Sequence, residues 1–200
     1  MTKIKFCGLR RPSDLEAVNQ IKPDFVGFVF WDKSKRYVPF AEAAELKKLL
    51  DPGIAAVGVF VDAAPEEAAG LANSGIIDMI QLHGHENEAY IRRLRSLTDK
   101  PLIKAFIPSE DEDPVRIEKC TADYVLIDSG AGSGKRLAWE GLSFVKRPYF
   151  LAGGLAPENA AAAVQRLRPY AVDVSSGIET GGYKDFNKMA AFAAAVRRTQ

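Results

Sequence analysis

The sequence predicts an α/β fold, a single (β/α)8 TIM barrel spanning residues 1–200. Three observations lead there. Short β-branched or aromatic runs alternate strictly with longer Ala/Leu/Glu-rich segments, the pattern of a parallel sheet. Several of the runs are apolar almost throughout, as expected of strands covered by helices on one face and packed side chains on the other. Eight such strand–helix units fit into 200 residues, and eight suggest closure into a barrel. An open doubly wound sheet is the structural alternative.

Strands are expected at Lys3–Cys7, Phe25–Phe30, Ala56–Val61, Met79–Leu82, Leu102–Phe106, Tyr124–Asp128, Tyr149–Ala152 and Ala171–Val174. Helices are expected at Pro12–Gln20, Ala41–Leu50, Pro65–Asn73, Asn87–Leu97, Pro114–Cys120 and Glu158–Leu167, with Phe186–Arg197 closing the chain. Pro12, Pro65 and Pro157 stand where a first-turn proline is tolerated, because its missing N–H has no partner there anyway. The acidic run Glu110–Asp113 reads as a solvated loop leading into a helix. No linker or low-complexity tract divides the chain.

Composition excludes several function classes. With 27 Lys and Arg against 26 Asp and Glu, the net charge of +1 leaves no electrostatic footprint for nucleic acid or an anionic membrane surface. No apolar run approaches the roughly 20 residues of a membrane span, and Met1 to Gly8 enters a strand with no secretory signal, so a cytoplasmic protein is expected. The two cysteines, Cys7 and Cys120, are far apart and carry neither a disulfide framework nor a zinc site. His83 and His85 lack the zincin spacing, and no metal is expected with Asp62 or Glu86. Gly130–Lys135 departs from a Walker loop at Ser129 and Arg136, and no GxGxxG follows the first strand, so nucleotide binding by either motif is rejected.

In such a barrel the chemistry sits where strands end at their C-termini. Cys7 ends the first strand and precedes Gly8; a free cysteine is commonly a small buried apolar residue, but this position favours a site. Cys120, at a helix end on the outer ring, reads as packing only. Asp128 ends the sixth strand after four apolar or aromatic residues, where a carboxyl group is easier to explain as a site acid than as core. Gly153 and Gly154 follow the seventh strand; Ser176 and Gly177 follow the eighth. These are the loops whose backbone N–H groups hold phosphate in barrels of this kind, so a phosphorylated small molecule is expected. Tight turns alone would also explain the glycines. His83 is either a ligand contact or part of a structural network, and Arg36 is either a carboxylate clamp or a surface arginine.

These segments together resemble the phosphoribosylanthranilate isomerase family of tryptophan biosynthesis. The likeness is carried, in order, by Lys5-Phe6-Cys7-Gly8-Leu9, Gly27-Phe28-Val29-Phe30 with Ser34-Lys35-Arg36-Tyr37-Val38, Gly58-Val59-Phe60, Gln81-Leu82-His83-Gly84-His85-Glu86, Leu151-Ala152-Gly153-Gly154-Leu155 with Pro157-Glu158-Asn159, and Val172-Asp173-Val174-Ser175-Ser176-Gly177-Ile178-Glu179. The loop after Asp128 is shorter before its glycines and lacks the family's Phe, and Gly181 stands where the family often has Pro. The resemblance implies a cofactor-free Amadori rearrangement with Asp128 as general acid and Cys7 as general base. It implies that Arg36 holds the anthranilate carboxylate, that Gly154, Ser176 and Gly177 hold phosphate, and that Asp173 supports the site or is purely structural. The histidine-pathway ribotide isomerase, which places aspartate at the first strand's end, and a non-catalytic phosphosugar-binding barrel are the alternatives. Partners beyond a small phosphorylated substrate are not expected, in a monomer or homodimer.

Overall fold

In the computed structural model, residues 1–107, 114–128 and 145–199 are described. β1 (Lys3–Cys7), α1 (Pro12–Ile21), β2 (Phe25–Val29), α2 (Phe40–Leu49), β3 (Ala55–Phe60), α3 (Pro65–Asn73), β4 (Met79–Leu82), α4 (Glu88–Arg95), β5 (Leu102–Phe106), α5 (Pro114–Lys119) and β6 (Tyr124–Asp128) alternate strictly. They are followed by β7 (Tyr149–Ala152), α6 (Pro157–Leu167) and β8 (Ala171–Val174). A short 3-10 turn, Ser176–Ile178, then leads into a two-stranded hairpin, β9 (Glu179–Thr180) and β10 (Tyr183–Lys184), and α7 (Phe186–Arg197) ends the chain. The eight long strands form a closed barrel in sequence order, every pair parallel, with β8 returning to β1. The expected acidic loop at Glu110–Asp113 and the glycine-rich run Gly130–Lys135 fall outside the described residues.

Strand alternation decides which residues fill the barrel. Phe25, Val57, Met79, Ile103, Ala105, Leu126, Phe150, Ala152 and Ala171 pack with one another inside it. Their neighbours in sequence, such as Val26, Ala56, Ile80, Leu102, Val125, Leu151 and Val172, face outward into the larger core shared with the helices. This is the period of two that puts successive side chains on opposite faces. Phe150, fully buried, carries the interior packing, with ring centroids 5.4 Å from Phe25, 5.7 Å from Tyr124 and 5.6 Å from Tyr170.

Element ends move by one or two residues from the expected ones, for local reasons. α4 starts at Glu88 because Asn87 caps it, its side-chain oxygen accepting from the backbone N–H groups of Ala89 and Tyr90 at 3.0 Å. Pro12, Pro65 and Pro157 each open a helix. Cys120 lies just past α5, buried, as a packing residue should. The β9–β10 turn uses two residues, Gly181 and Gly182, at φ +59° and +81°. Two positive φ values make the hairpin turn whose twist matches its strands. Proline, fixed near −65°, could not take the Gly181 conformation. The departure at Gly181 is therefore a different way of turning the same corner.

Replacing Phe150 by alanine should lower unfolding free energy by about 3–5 kcal/mol, since a full aromatic ring is lost from a closed interior. Urea denaturation of Phe150→Ala against the parent checks this.

Candidate active site

The C-terminal ends of the strands surround a cavity of about 470 Å³. Cys7, Arg36, His83, Asp128, Gly153, Gly154, Asp173 and Ser176 all line it, so eight of the nine residues singled out from the sequence meet in one place. Gly177 does not line it. It lies where a Cβ would collide with the carbonyl oxygen of Leu155, so glycine is required for the β8 loop to rest on the β7 loop. Gly153 and Gly154 take φ +87° and +62°, a turn open to glycine. Close backbone approach thus joins the two loops expected to hold phosphate.

Cys7 occupies the last inward position of β1, half-buried, two residues beyond Lys5 on the same face. Between them, on β2, stands Gly27. A Cβ there would lie 2.8 Å from the Cys7 sulfur and 3.1 Å from Lys5 Nζ, so the glycine makes room for both. Lys5 is fully buried, and its Nζ donates to Asp173 Oδ2 at 2.9 Å across the β1–β8 pairing. The other carboxylate oxygen, Asp173 Oδ1, is buried and has no hydrogen-bond partner among the described residues. Burial pushes the Cys7 thiol above its ordinary value, with Lys5 and Lys184 pulling the other way and Asp173 adding to the rise.

Arg36 is a clamp already holding something. Its Nε donates to Glu179 Oε1 at 2.6 Å and its Nη2 to Glu179 Oε2 at 2.8 Å, a forked pair that fixes the guanidinium plane. The arginine side chain rests on Gly8, where a Cβ would collide with its Cδ. Glu179 also accepts from Lys184 Nζ at 2.8 Å, and that ammonium donates in turn to the Ser175 carbonyl at 3.0 Å. Ser175 Oγ donates to the Cys7 carbonyl at 3.0 Å, which closes a chain of contacts from the hairpin back to the end of β1. Tyr183 anchors the hairpin from outside, its ring between Arg10 and Arg11 at 4.7 and 4.5 Å.

On the other side of the cavity, His83 Nε2 stands 3.5 Å from Asp128 Oδ2. Gln81 Nε2 lies 2.9 Å from His83 Nδ1, so the ring's other nitrogen, Nε2, is the one that faces Asp128. His83 is thus both in a network and at the cavity. His85 is exposed and pairs with Asp62 at 3.0 Å, while Glu86 is tied to Lys104 and to the backbone N–H groups of Asp62 and Gly84. No group of acidic, His and Cys residues suited to a metal is found among the described residues.

Sequence reasoning missed Lys5, Glu179 and Lys184. A charged residue on the inward face of β1, two before the cysteine, was the available signal for Lys5.

The same architecture recurs in known proteins. Residues 4–195 match the family model described as N-(5′-phosphoribosyl)anthranilate isomerase. A relative of that name from Endomicrobium trichonymphae is 44% identical over 194 residues, covering 94% of this chain and 95% of its own. The crystal structure of phosphoribosyl anthranilate isomerase from Thermus thermophilus superposes with a TM-score of 0.89 at 31% identity, covering 100% of both chains. Another phosphoribosyl anthranilate isomerase, solved with reduced 1-(o-carboxyphenylamino)-1-deoxyribulose 5-phosphate, gives 0.86 at 32% identity over 99% of this chain and 100% of that one.

Burial opposes the charge on Glu179, but hydrogen bonds from Arg36 and Lys184 outweigh it and hold the carboxyl at about 2, from an ordinary 4.5. A depressed carboxyl stabilises the fold above its unfolded value and stops doing so as pH falls through its folded one. The melting-temperature gap between the parent and Glu179→Gln should therefore be full above about pH 4.5 and shrink steadily toward pH 2. A gap that stays constant over that window would show that Glu179 acts by shape alone. By sequence and by fold, the chain belongs to the N-(5′-phosphoribosyl)anthranilate isomerase family.

Proposed function

We propose that Cys7 and Asp128 are the base and the acid of the family's reaction. That reaction is the Amadori rearrangement of N-(5-phosphoribosyl)anthranilate to 1-(2-carboxyphenylamino)-1-deoxyribulose 5-phosphate. The observation that carries the reading is the order of groups around one cavity. Going round the closed barrel from β6 to β1, the carboxyl of Asp128 comes first, then the loops after β7 and β8, then the thiol of Cys7. A phosphate seated on the two loops places the sugar ring between acid and base.

Asp128 protonates the furanose ring oxygen. The bond from that oxygen to C1′ breaks, and the anilinic nitrogen's electron pair forms the Schiff base. Cys7, as thiolate, removes the proton from C2′, and the electrons move to the nitrogen to give an enolamine. Tautomerisation returns a proton to C1′ and leaves the ketone at C2′. No electrons leave the substrate, so no redox cofactor takes part; Asp128 carries the proton of ring opening and Cys7 the proton from C2′. Asp128 needs a proton at neutral pH; the His83 side chain beside it steers the carboxyl toward the ring oxygen.

Substrate anions have separate receptors. Backbone N–H groups around Gly153, Gly154, Ser176 and Gly177 receive phosphate, as polarised donors at loop and helix starts do. Glu179 takes the side-on fork of Arg36, which leaves the end-on pair of Nη donors for the anthranilate carboxylate. The unpartnered Oδ1 of Asp173 suits a ribose hydroxyl. The substrate is a small phosphorylated molecule, and neither nucleic acid nor membrane is involved. The single barrel domain works in the cytoplasm as a monomer or homodimer.

The test is the fluorescence decay of phosphoribosylanthranilate generated in situ, without added metal or cofactor. Cys7→Ala and Asp128→Asn should each lower kcat by about 10² to 10⁴, the usual worth of a positioned acid or base, with phosphate analogues still bound. Near-normal turnover in either variant removes that residue from its role. Binding without turnover in the parent would instead favour a phosphosugar-binding barrel.

A further inference from the structure

Lys5 sits in the barrel interior, fully buried, in a place that stability alone does not explain. Elsewhere the barrel interior is filled by apolar, close-packed side chains, Val57, Ile103 and Leu126 among them. A buried ion pair is weak support for a fold, because the desolvation of two charges offsets most of their attraction and an apolar pair of similar volume often does as well. The Lys5–Asp173 pair therefore asks for a role other than holding β1 to β8, which backbone pairing already does.

The geometry supplies one. An ammonium has three N–H donors, and Asp173 Oδ2 takes one at 2.9 Å. On the site side of Nζ lies the Cys7 sulfur, on the same strand face and across the gap left by Gly27. We propose that Lys5 is a positioning residue for the general base: anchored by Asp173, its buried ammonium lies beside the Cys7 sulfur and stabilises the thiolate form that takes the substrate proton. The inference rests on the reading of Cys7 as the base.

The other charges around the sulfur fit this arrangement. From the β2–α2 connection comes Arg36 and from β10 comes Lys184, which share the one carboxylate of Glu179; from β8 comes Asp173, paired with Lys5. Asp128 and His83 line the far side of the same cavity. Lys5 and Lys184 are the two cations that oppose the effect of burial on the thiol, and Lys5 is the stronger. Burial weakens the charge on Lys184. Burial opposes the charge on Lys5 as well, but Asp173 and Cys7 outweigh it and hold the ammonium protonated. Asp173 thus acts through Lys5: it keeps charged a cation that is buried away from the protein surface.

Because only two cysteines exist, Cys7 can be titrated directly in a Cys120→Ala background by the ultraviolet absorbance of its thiolate. Lys5→Met, similar in length and uncharged, should move the midpoint up by about 1 to 3 pH units, the usual effect of an opposite charge at this range. The acid limb of the kcat/KM profile should move with it, and turnover should recover at high pH. The double variant Lys5→Met/Asp173→Asn leaves no unpaired buried charge and should also move upward, by less, because the removed carboxylate had pushed the other way. An unfolded chain would give about 8.5, the free-thiol value, a shift in the opposite sense. If the folded single or double variant keeps the parent's midpoint, or moves below it, the proposal is wrong. The titration needs no turnover, so it stands apart from the Cys7→Ala assay that tests the base itself.

Discussion

The return of β8 to β1 is the constraint on which the site depends. Four register pairs join the strands, with Lys5 opposite Asp173 and Phe6 opposite Val174. This seam links residues 168 positions apart, so it forms only after a long loop has closed and the intervening strands have paired. Everything that surrounds Cys7 is assembled there. Asp173 reaches Lys5, Ser175 reaches the Cys7 carbonyl, and the hairpin beyond β8 reaches Arg36. On an open sheet with the same elements, β1 and β8 would be apart and Lys5, beside the cysteine, would have no Asp173 to anchor it.

The elements were legible because each obeys a local rule. Period-two alternation and the helix-opening prolines place the strands and helices within a residue or two. The place of Cys7 and Asp128 at the cavity was legible for a related reason: a reactive group at the end of an apolar strand has few local explanations. Lys5 was not. Read locally, a lysine in a five-residue strand is an ordinary solvated residue, and only closure of the seam turns it inward against Asp173. Arg36 lay between these cases, since the sequence suggests an anion clamp but gives no sign that Glu179, 143 positions on, fills one fork of it.

Glycines divide in the same way. Gly181 and Gly182 are required by their own backbone, at φ +59° and +81° in the turn of a hairpin the sequence reading did not expect. Gly27 and Gly177 are ordinary by backbone and are required by what approaches them, a cysteine and a lysine in one case and the Leu155 carbonyl in the other. Neither contact exists until consecutive strands, β1 with β2 and β7 with β8, have paired. A glycine inside an apolar strand, as at Gly27, is therefore a signal of close approach by another group, a reading available to sequence but not its source.

With Cys7 as the proposed base, charge accounting favours a phosphate received by backbone rather than by lysine. Lys5, Arg36 and Lys184 are three cations facing two carboxylates, Asp173 and Glu179, in this cluster of described residues. The cluster is neutral when Cys7 is a thiolate and carries a positive charge when it is a thiol. That surplus favours loss of the thiol proton against the effect of burial. A phosphate dianion bound directly to Lys5 or Lys184 would consume the surplus and push the thiol proton back on. Backbone N–H groups of the β7 and β8 loops can hold phosphate by partial charges alone. The cations are thereby left to the base, and the substrate's strongest charge is kept at the rim while the proton is removed inside.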